Sequence, residues 1–418
     1  MFSLLNIRVG FYLAVRQLRR ASLWTTGLIV FVMLLTFLNL VVVTGILVGL
    51  IEGINESYRT QYTGDVILSA LTTKTYIQDT PSVVAFLKTL PQVSQLSERY
   101  QAGGTIEANY LTRTSDTEKP NATGAQVIGI DPVIENAFSG LAKNLIEGDY
   151  LSAGDYDQIL VGNFLLAKYA FGNQPALTPL TDVNPGTKVR LTINGSVREV
   201  IVKGVIKSKI APLATSIFIP AAELRTLMGR TDQNVAQIAI HLTPGGDPDA
   251  FKNLLLASGI GEKAKIQTFT DAIPNGVADI KNTFAMLGNG FSSIGLVVAA
   301  ITIFIVIFIN AITRRKFIGI LKGIGISGEA IEISYIFQSL FYASIGSAIG
   351  LVVLYGILVP SIAAHPIDFP FSDGILVAPM GGTLTRIALL VLTTVVAGYL
   401  PSRMIVRRNT LDSILGRN

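Results

Sequence analysis

The chain has 418 residues, 50% of them hydrophobic and 15% charged, with a mean hydropathy of +0.52, which is too apolar for an ordinary water-soluble protein. It contains no cysteine, which excludes disulfides and thiolate metal sites. The net charge of +5 is placed as a membrane-topology signal and not as a nucleic-acid footprint, because the basic residues cluster beside long apolar stretches.

Residues 1–22 carry Arg8, Arg16, Arg19 and Arg20 and read as a cytoplasmic amphipathic helix. The first apolar stretch, 23–51, follows. About 20 apolar residues suffice to cross a hydrocarbon core of about 30 Å. This run exceeds the roughly 7–15 apolar residues of a signal peptide, and no small-x-small cleavage site follows it, so an uncleaved transmembrane helix is expected. Gly45, Gly49 and Gly53 recur every fourth residue and share one helix face. Such a strip lets another element approach closely, and it serves either helix packing within one subunit or a dimer seam.

Residues 52–282 change texture to short strands, turn signals and amphipathic helices, the pattern of a large extracytoplasmic α+β domain. Strands are expected over 65–69, 104–110, 237–242 and 265–269, and helices over 81–90 and after the Asp247-Pro248 cap. Two β-α-β units thus flank an insertion, giving a domain of two lobes. Within the insertion, Asn194-Gly195 joins runs 188–193 and 196–206 and signals a hairpin. A strand over 216–219 leads through Pro220 into a helix over 221–228. Residues 112–125 and 175–185 read as surface loops, and His241 and His365 as structural or surface residues.

Residues 283–418 hold three further apolar stretches, 291–312, 331–359 and 384–404. Arg314, Arg315, Lys316 and Lys322 follow the first of these, and Arg403, Arg407, Arg408 and Arg417 mark the tail at 405–418. The loop 360–383 has Asp368 and Asp373 but no lysine or arginine. The positive-inside rule therefore places both termini and the segment 313–330 in the cytoplasm, and the domain 52–282 outside. Trp24 and Tyr399 are placed as interfacial anchors, and Gly346 and Gly350 repeat the glycine spacing of the first span. The spans hold almost no ionisable side chains, with Asn39 and Asn310 as the conspicuous polar interruptions and Glu332 near an end, which favours moving helices over a polar conduit.

The run from Thr313 through Arg314, Arg315, Lys316, Phe317, Ile318, Gly319, Ile320, Leu321, Lys322, Gly323, Ile324, Gly325 and Ile326 to Ser327 resembles the cytoplasmic signature of the FtsX/MacB-like permeases. In that family a basic cluster precedes Glu-Ile-Gly-Ile-Leu-Arg-Ala-Leu-Gly-Ala-Ser; here Phe317 replaces the acid and Gly323 the alanine. The basic run 13–20, the core-like segments 159–162, 186–189 and 204–206, and the terminal stretches 398–403 and 411–415 agree with the same family. Residues 49–54 and 64–69 are most similar to its lipoprotein-release branch. The resemblance implies a cell-membrane permease that forms a homo- or heterodimer and binds a separate cytoplasmic ABC ATPase. It further implies a mechanotransmission mechanism, in which ATP-driven motion reaches the extracytoplasmic domain and an external carrier or adaptor. It implies no nucleic-acid partner.

No Gly-x-x-x-x-Gly-Lys-Ser/Thr loop occurs; the nearest glycines, at Gly259 and Gly261 before Lys263, have the wrong spacing. ATP must then act through the partner, and no catalytic, cofactor-binding or metal-binding residues are expected in this chain. Neither a Gly-x-Ser-x-Gly elbow nor a histidine–carboxylate cluster suggests hydrolysis. For ATPase coupling the candidates are Arg314, Arg315, Lys316, Ile318, Gly319, Ile320, Leu321, Gly323 and Gly325, with Ile318, Ile320, Leu321 and Ile324 offering the apolar side chains that fill a groove on the ATPase. The basic residues also set topology against anionic lipid at about 1 kcal/mol each. Two functions remain open: export or lipoprotein release driven by the ATPase, and a non-transporting regulator that activates a cell-wall hydrolase.

Overall fold

The structure is a computed structural model and describes residues 4–113, 118–170, 178–273, 275–369 and 372–407. Arg408, Arg417 and the terminal stretch 411–415 lie outside the described residues, as do parts of the two expected surface loops. In chain order the helices are α1 (Leu4–Arg19), α2 (Leu23–Tyr58), α3 (Thr80–Thr89), α4 (Pro132–Ser139), the single turn α5 (Ala211–Ala214), α6 (Ala221–Leu227), α7 (Pro248–Ala257), the single turn α8 (Phe269–Ala272), α9 (Asn275–Thr313), α10 (Arg315–Gly323), α11 (Gly328–Val353), α12 (Val359–Ala364) and α13 (Met380–Val406). The strands are β1 (Val66–Ser69), β2 (Val93–Glu107), β3 (Ala122–Ile130), β4 (Leu145–Gly148), β5 (Gln158–Gly162), β6 (Lys188–Ile193), β7 (Ser196–Ile206), β8 (Ser216–Pro220), β9 (Gln237–Leu242) and β10 (Lys265–Thr268), with a separate short pair, β11 (Ile367–Phe369) and β12 (Ser372–Gly374). The chain divides into a helical unit, Met1–Ile51 with Asp279–Ile367 and Gly374–Asn418, and a mixed-sheet unit, Glu52–Ala278 with Asp368–Asp373.

Among the described residues, four helical stretches are long and apolar enough to cross a membrane: Leu23–Thr63, Asn282–Thr313, Gly328–Ala364 and Met380–Val406. The shortest has 27 residues, about 40 Å at 1.5 Å per residue against a hydrocarbon core of about 30 Å. Their inward side chains share one apolar seam, with Met33, Phe37 and Val41 from α2, Ile303 and Ile307 from α9, Ile331 and Tyr335 from α11, and Leu390 and Ala397 from α13. Glycines set how closely these helices approach. A Cβ at Gly350 would lie 2.2 Å from Phe37 Cδ1, one at Gly346 2.5 Å from Met33 Cβ, and one at Gly398 2.8 Å from Ser339 Oγ. The outward faces are apolar too, as at Phe291, Ile294, Val298, Ile301 and Ile305 of α9. Helices that bury one apolar face against each other and turn another outward suit lipid, where only internally hydrogen-bonded backbone is tolerated. This is a membrane protein.

The second unit is built on one mixed sheet. The order β10-β1-β9-β2 is antiparallel throughout, with α3 connecting β1 to β2 and α7 connecting β9 to β10, an arrangement of split β-α-β type. From its midpoint β2 continues into a closed ring, in which each neighbour pairs in turn: β2, β3, β8, β5, β7, β6 and back to β2. The pairs β3–β8 and β5–β7 are parallel and the others antiparallel. Strand parity divides the apolar residues into two clusters. Val127, Val161 and Ile217 join Ile106, Leu191 and Val202 in the main core, whereas their neighbours Ile128, Leu160 and Phe218 pack with Ile54, Tyr58 and Leu213.

Asn194 and Gly195 both have positive φ, 48° and 82°, and close β6 onto β7 with Ile193 opposite Ser196. That is the two-residue hairpin geometry expected of this dipeptide. Asp247 caps α7 by accepting from the backbone N–H groups of Asp249 and Ala250. The strand expected over 104–110 instead begins at Val93 and ends at Glu107. Its first half is too polar, from Ser94 to Arg99, to show as a strand in the sequence. The loop expected over 112–125 contains the start of β3 at Ala122. Because β2 pairs in both the open and the closed part, the residues expected as two lobes follow a single strand path within one compact unit.

Candidate functional site

The cytoplasmic-signature segment forms a discrete element between two spans. α9 stops where Arg314 leaves helical geometry at φ −99° and ψ 12°, and α10 runs from Arg315 to Gly323. Gly325 at φ 94° closes it: the N–H of Gly325 reaches the carbonyl of Lys322, and the N–H of Ile326 that of Leu321. This left-handed closure needs glycine. Ser327 then caps α11 through its hydroxyl, which accepts from the Ala330 N–H at 3.2 Å.

The segment's apolar residues divide between two faces. Ile318, Gly319 and Leu321 are buried, Ile318 and Leu321 within the seam of the helical unit, so they root α10 and do not reach outward. Phe317, Ile320 and Ile324 are exposed by 48%, 53% and 71% and form a stripe at spacings of three and four. Lys316 and Gly323 are exposed beside them, and no atom comes within 4 Å of a Cβ built on Gly323. Phe317, the position where the family's acid is missing, was not among the expected site residues. The i, i+3, i+7 spacing of 317, 320 and 324 could have identified it.

The neighbouring elements brace α10. Lys322 Nζ donates to the carbonyl of Val406 at the end of α13. α1 lies on the first turns of α11, with Asn6 Nδ2 donating to Glu329 Oε2 at 2.9 Å and Gln338 Nε2 donating to Gln17 Oε1 at 2.8 Å. A Cβ at Gly10 would sit 2.7 Å from Ile333 Cγ2. Of the α2 glycines, Gly45 and Gly49 face residues 375–377 of the same chain, and Gly53 is half-buried.

In the mixed-sheet unit a buried polar cluster lies beside an open groove of about 1060 Å³. Arg99 donates from Nε and Nη2 to Glu135 at 2.8 and 2.6 Å, and from Nη1 to the Tyr62 carbonyl, with the Tyr62 and Phe138 rings stacked near its guanidinium. The His241 ring stacks on Phe138 with centroids 4.3 Å apart, and its Nδ1 lies 3.4 Å from Asp65 Oδ2. Burial alone would raise the Asp65 carboxyl. Bonds from His241, the Leu242 N–H and Arg59 outweigh it and bring the carboxyl down to about 2. The groove can recognise polar groups through Arg59, Asn136, Lys143 and Thr243. Among the described residues, no group of three His, Cys, Asp or Glu side chains is placed to hold a metal.

The family model of the MacB-like periplasmic core domain matches residues 26–257, more than half of the chain, and that of the FtsX-like permease C-terminal region matches residues 289–410. Among solved structures, the crystal structure of the periplasmic region of MacB from Actinobacillus actinomycetemcomitans is similar at 13% identity and a TM-score of 0.32, over 49% of this chain and 88% of that one. No curated protein matches. With four apolar helices, a mixed-sheet domain after the first of them and both family models in that order, the chain belongs to the FtsX/MacB-like ABC permeases.

Proposed function

We propose that this permease works as a mechanotransmission subunit: a separate cytoplasmic ABC ATPase docks on α10, and its ATP-driven motion passes through the spans to the extracytoplasmic domain. The observation that carries the reading is the stripe of Phe317, Ile320 and Ile324, which stays exposed while Ile318 and Leu321 anchor the same helix. An apolar stripe in the aqueous phase is unfavourable at roughly 25 cal/mol per Å² unless a partner covers it. Arg314, Arg315 and Lys316 then place the docking helix at the cytoplasmic membrane edge. Both termini are cytoplasmic in this reading.

The permease acts as a dimer, homo- or heteromeric. In that dimer the exposed α9 face of Leu287, Phe291, Ile294, Val298, Ile301 and Ile305, spaced alternately by four and three, packs on a second helix in place of lipid. The extracytoplasmic domain meets the cargo or a carrier protein, and lipoprotein release is the cargo class we assign. Replacing Phe317, Ile320 and Ile324 together by serine should remove the ATPase from the purified complex, at least tenfold by recovered mass, while the permease keeps its thermal midpoint. Undiminished recovery of the ATPase would overturn the docking assignment. Reconstituted complex should release a lipidated protein on ATP addition; activation of a peptidoglycan hydrolase without release would replace this cargo assignment by a regulatory one.

A further inference from the structure

The glycine stripe of α2 does not receive a helix. Residues 375–378, which have no regular secondary structure, lie along it as an extended strap. A Cβ built on Gly49 would fall 1.8 Å from the carbonyl oxygen of Ile375, and one on Gly45 2.7 Å from Leu376 Cδ1 and 2.9 Å from the carbonyl oxygen of Val377. Only glycine leaves the strap room at either position. The Val377 N–H donates to the Gly45 carbonyl at 3.2 Å, and Leu376 is only 7% exposed. The strap's far end is held from the turn that follows α11: the Tyr355 hydroxyl donates to the Ala378 carbonyl at 2.9 Å and lies 3.2 Å from Thr383 Oγ1.

Tyr355 belongs to a π-helical turn, Leu354–Leu358, that interrupts the third span before α12. Turns of this kind are uncommon inside helices and concentrate where a helix must adjust. The strap is thus seated on one span by shape and one backbone bond, and tied to another span by one hydroxyl placed on an irregular turn. Residues 375–378 belong to no strand.

We propose that residues 375–378 form a releasable latch between the first and third spans. Seated on Gly45 and Gly49, the strap holds α2 against the π-helical turn that follows α11; lifted, it frees α2 to shift. This rests on the permease reading in one respect, that the spans move when the ATPase turns over.

The chain has no cysteine, so Leu376→Cys is a single reporter for the strap. The probe is a polar maleimide applied to the full chain in lipid nanodiscs, where both membrane faces are open to it. Labelling should be slow in the otherwise native chain and at least tenfold slower than at Met380→Cys, a position 60% exposed. Adding Gly49→Leu should accelerate it at least tenfold, while Gly381→Leu, where a Cβ meets nothing within 4 Å, should leave it unchanged. Tyr355→Phe, which keeps the ring and loses only the tether, should accelerate it severalfold with an unchanged thermal midpoint, and it decides the matter if Gly49→Leu does not fold. In the ATPase complex, trapping with ATP should accelerate labelling as well. Fast labelling in the native background, or slow labelling after Tyr355→Phe, overturns the latch. An intact, ATP-hydrolysing complex whose labelling does not respond to ATP overturns the latch alone. A permease that recruits no ATPase overturns the permease reading and the latch with it.

Discussion

Glu223 shows how much a single carboxyl depends on its surroundings. It is buried on α6, accepts from the Asp157 N–H at 3.1 Å, and faces the Asp157 carboxylate that Arg198 holds at 2.6 and 2.9 Å. Burial, reinforced by the neighbouring Asp157 charge and by a side-chain bond to Asp157, raises the Glu223 carboxyl to about 7 from 4.5. The folded state therefore keeps a proton that the unfolded state releases as pH rises above 4.5, so its contribution to stability is complete below that pH and falls until about 7. The loss is roughly 3 kcal/mol at most. Glu223→Gln should flatten this part of the profile, and thermal midpoints of the full chain between pH 5 and pH 8 would check it; a slope identical to the native one would refute the assignment. Neither Glu223 nor Arg99 could be read from the sequence. Arg99 stands in a polar run, and its partner Glu135 is 36 residues away, so only the paired register of β2 and the placement of α4 bring them together.

At the scale of elements, spacing was legible where one periodicity dominated. The Asn194-Gly195 hairpin and the Asp247 cap rest on local chemistry and are present where the sequence places them, and the four long apolar runs lie within helices that extend beyond them, as Leu23–Thr63 does past the run 23–51. α10 shows the limit of such reading: its apolar residues were visible, yet which of them face inward depends on the seam supplied by distant spans. The close crossing of α2 and α11 is an element-scale property with a direct test. Gly350→Val would press a side chain into Phe37, and overpacking of this kind costs roughly 1–3 kcal/mol. The thermal midpoint of the solubilised chain should fall, and Phe37→Ala should restore part of the loss in the double variant. An additive effect of the two substitutions would mean that they do not meet across this crossing.

For the whole molecule, hydropathy and the placement of lysine and arginine marked the helical unit and the large insertion, because each span is a contiguous stretch. The closed strand ring was hidden, since β2–β6, β3–β8 and β5–β8 join strands far apart in sequence and nothing local specifies such pairs. The proposed ATPase partner is indicated only indirectly, by a family signature without a phosphate loop and by α10, whose outer stripe is exposed. Transmission between the docking helix and the extracytoplasmic domain is the central claim. It is tested most directly by hydrogen exchange on the complex of this permease with the proposed ATPase partner, with and without ATP trapping. Altered protection both in α10 and within residues 52–278 is the expected result; altered protection confined to α10 and its neighbours, with the domain unchanged, would contradict it.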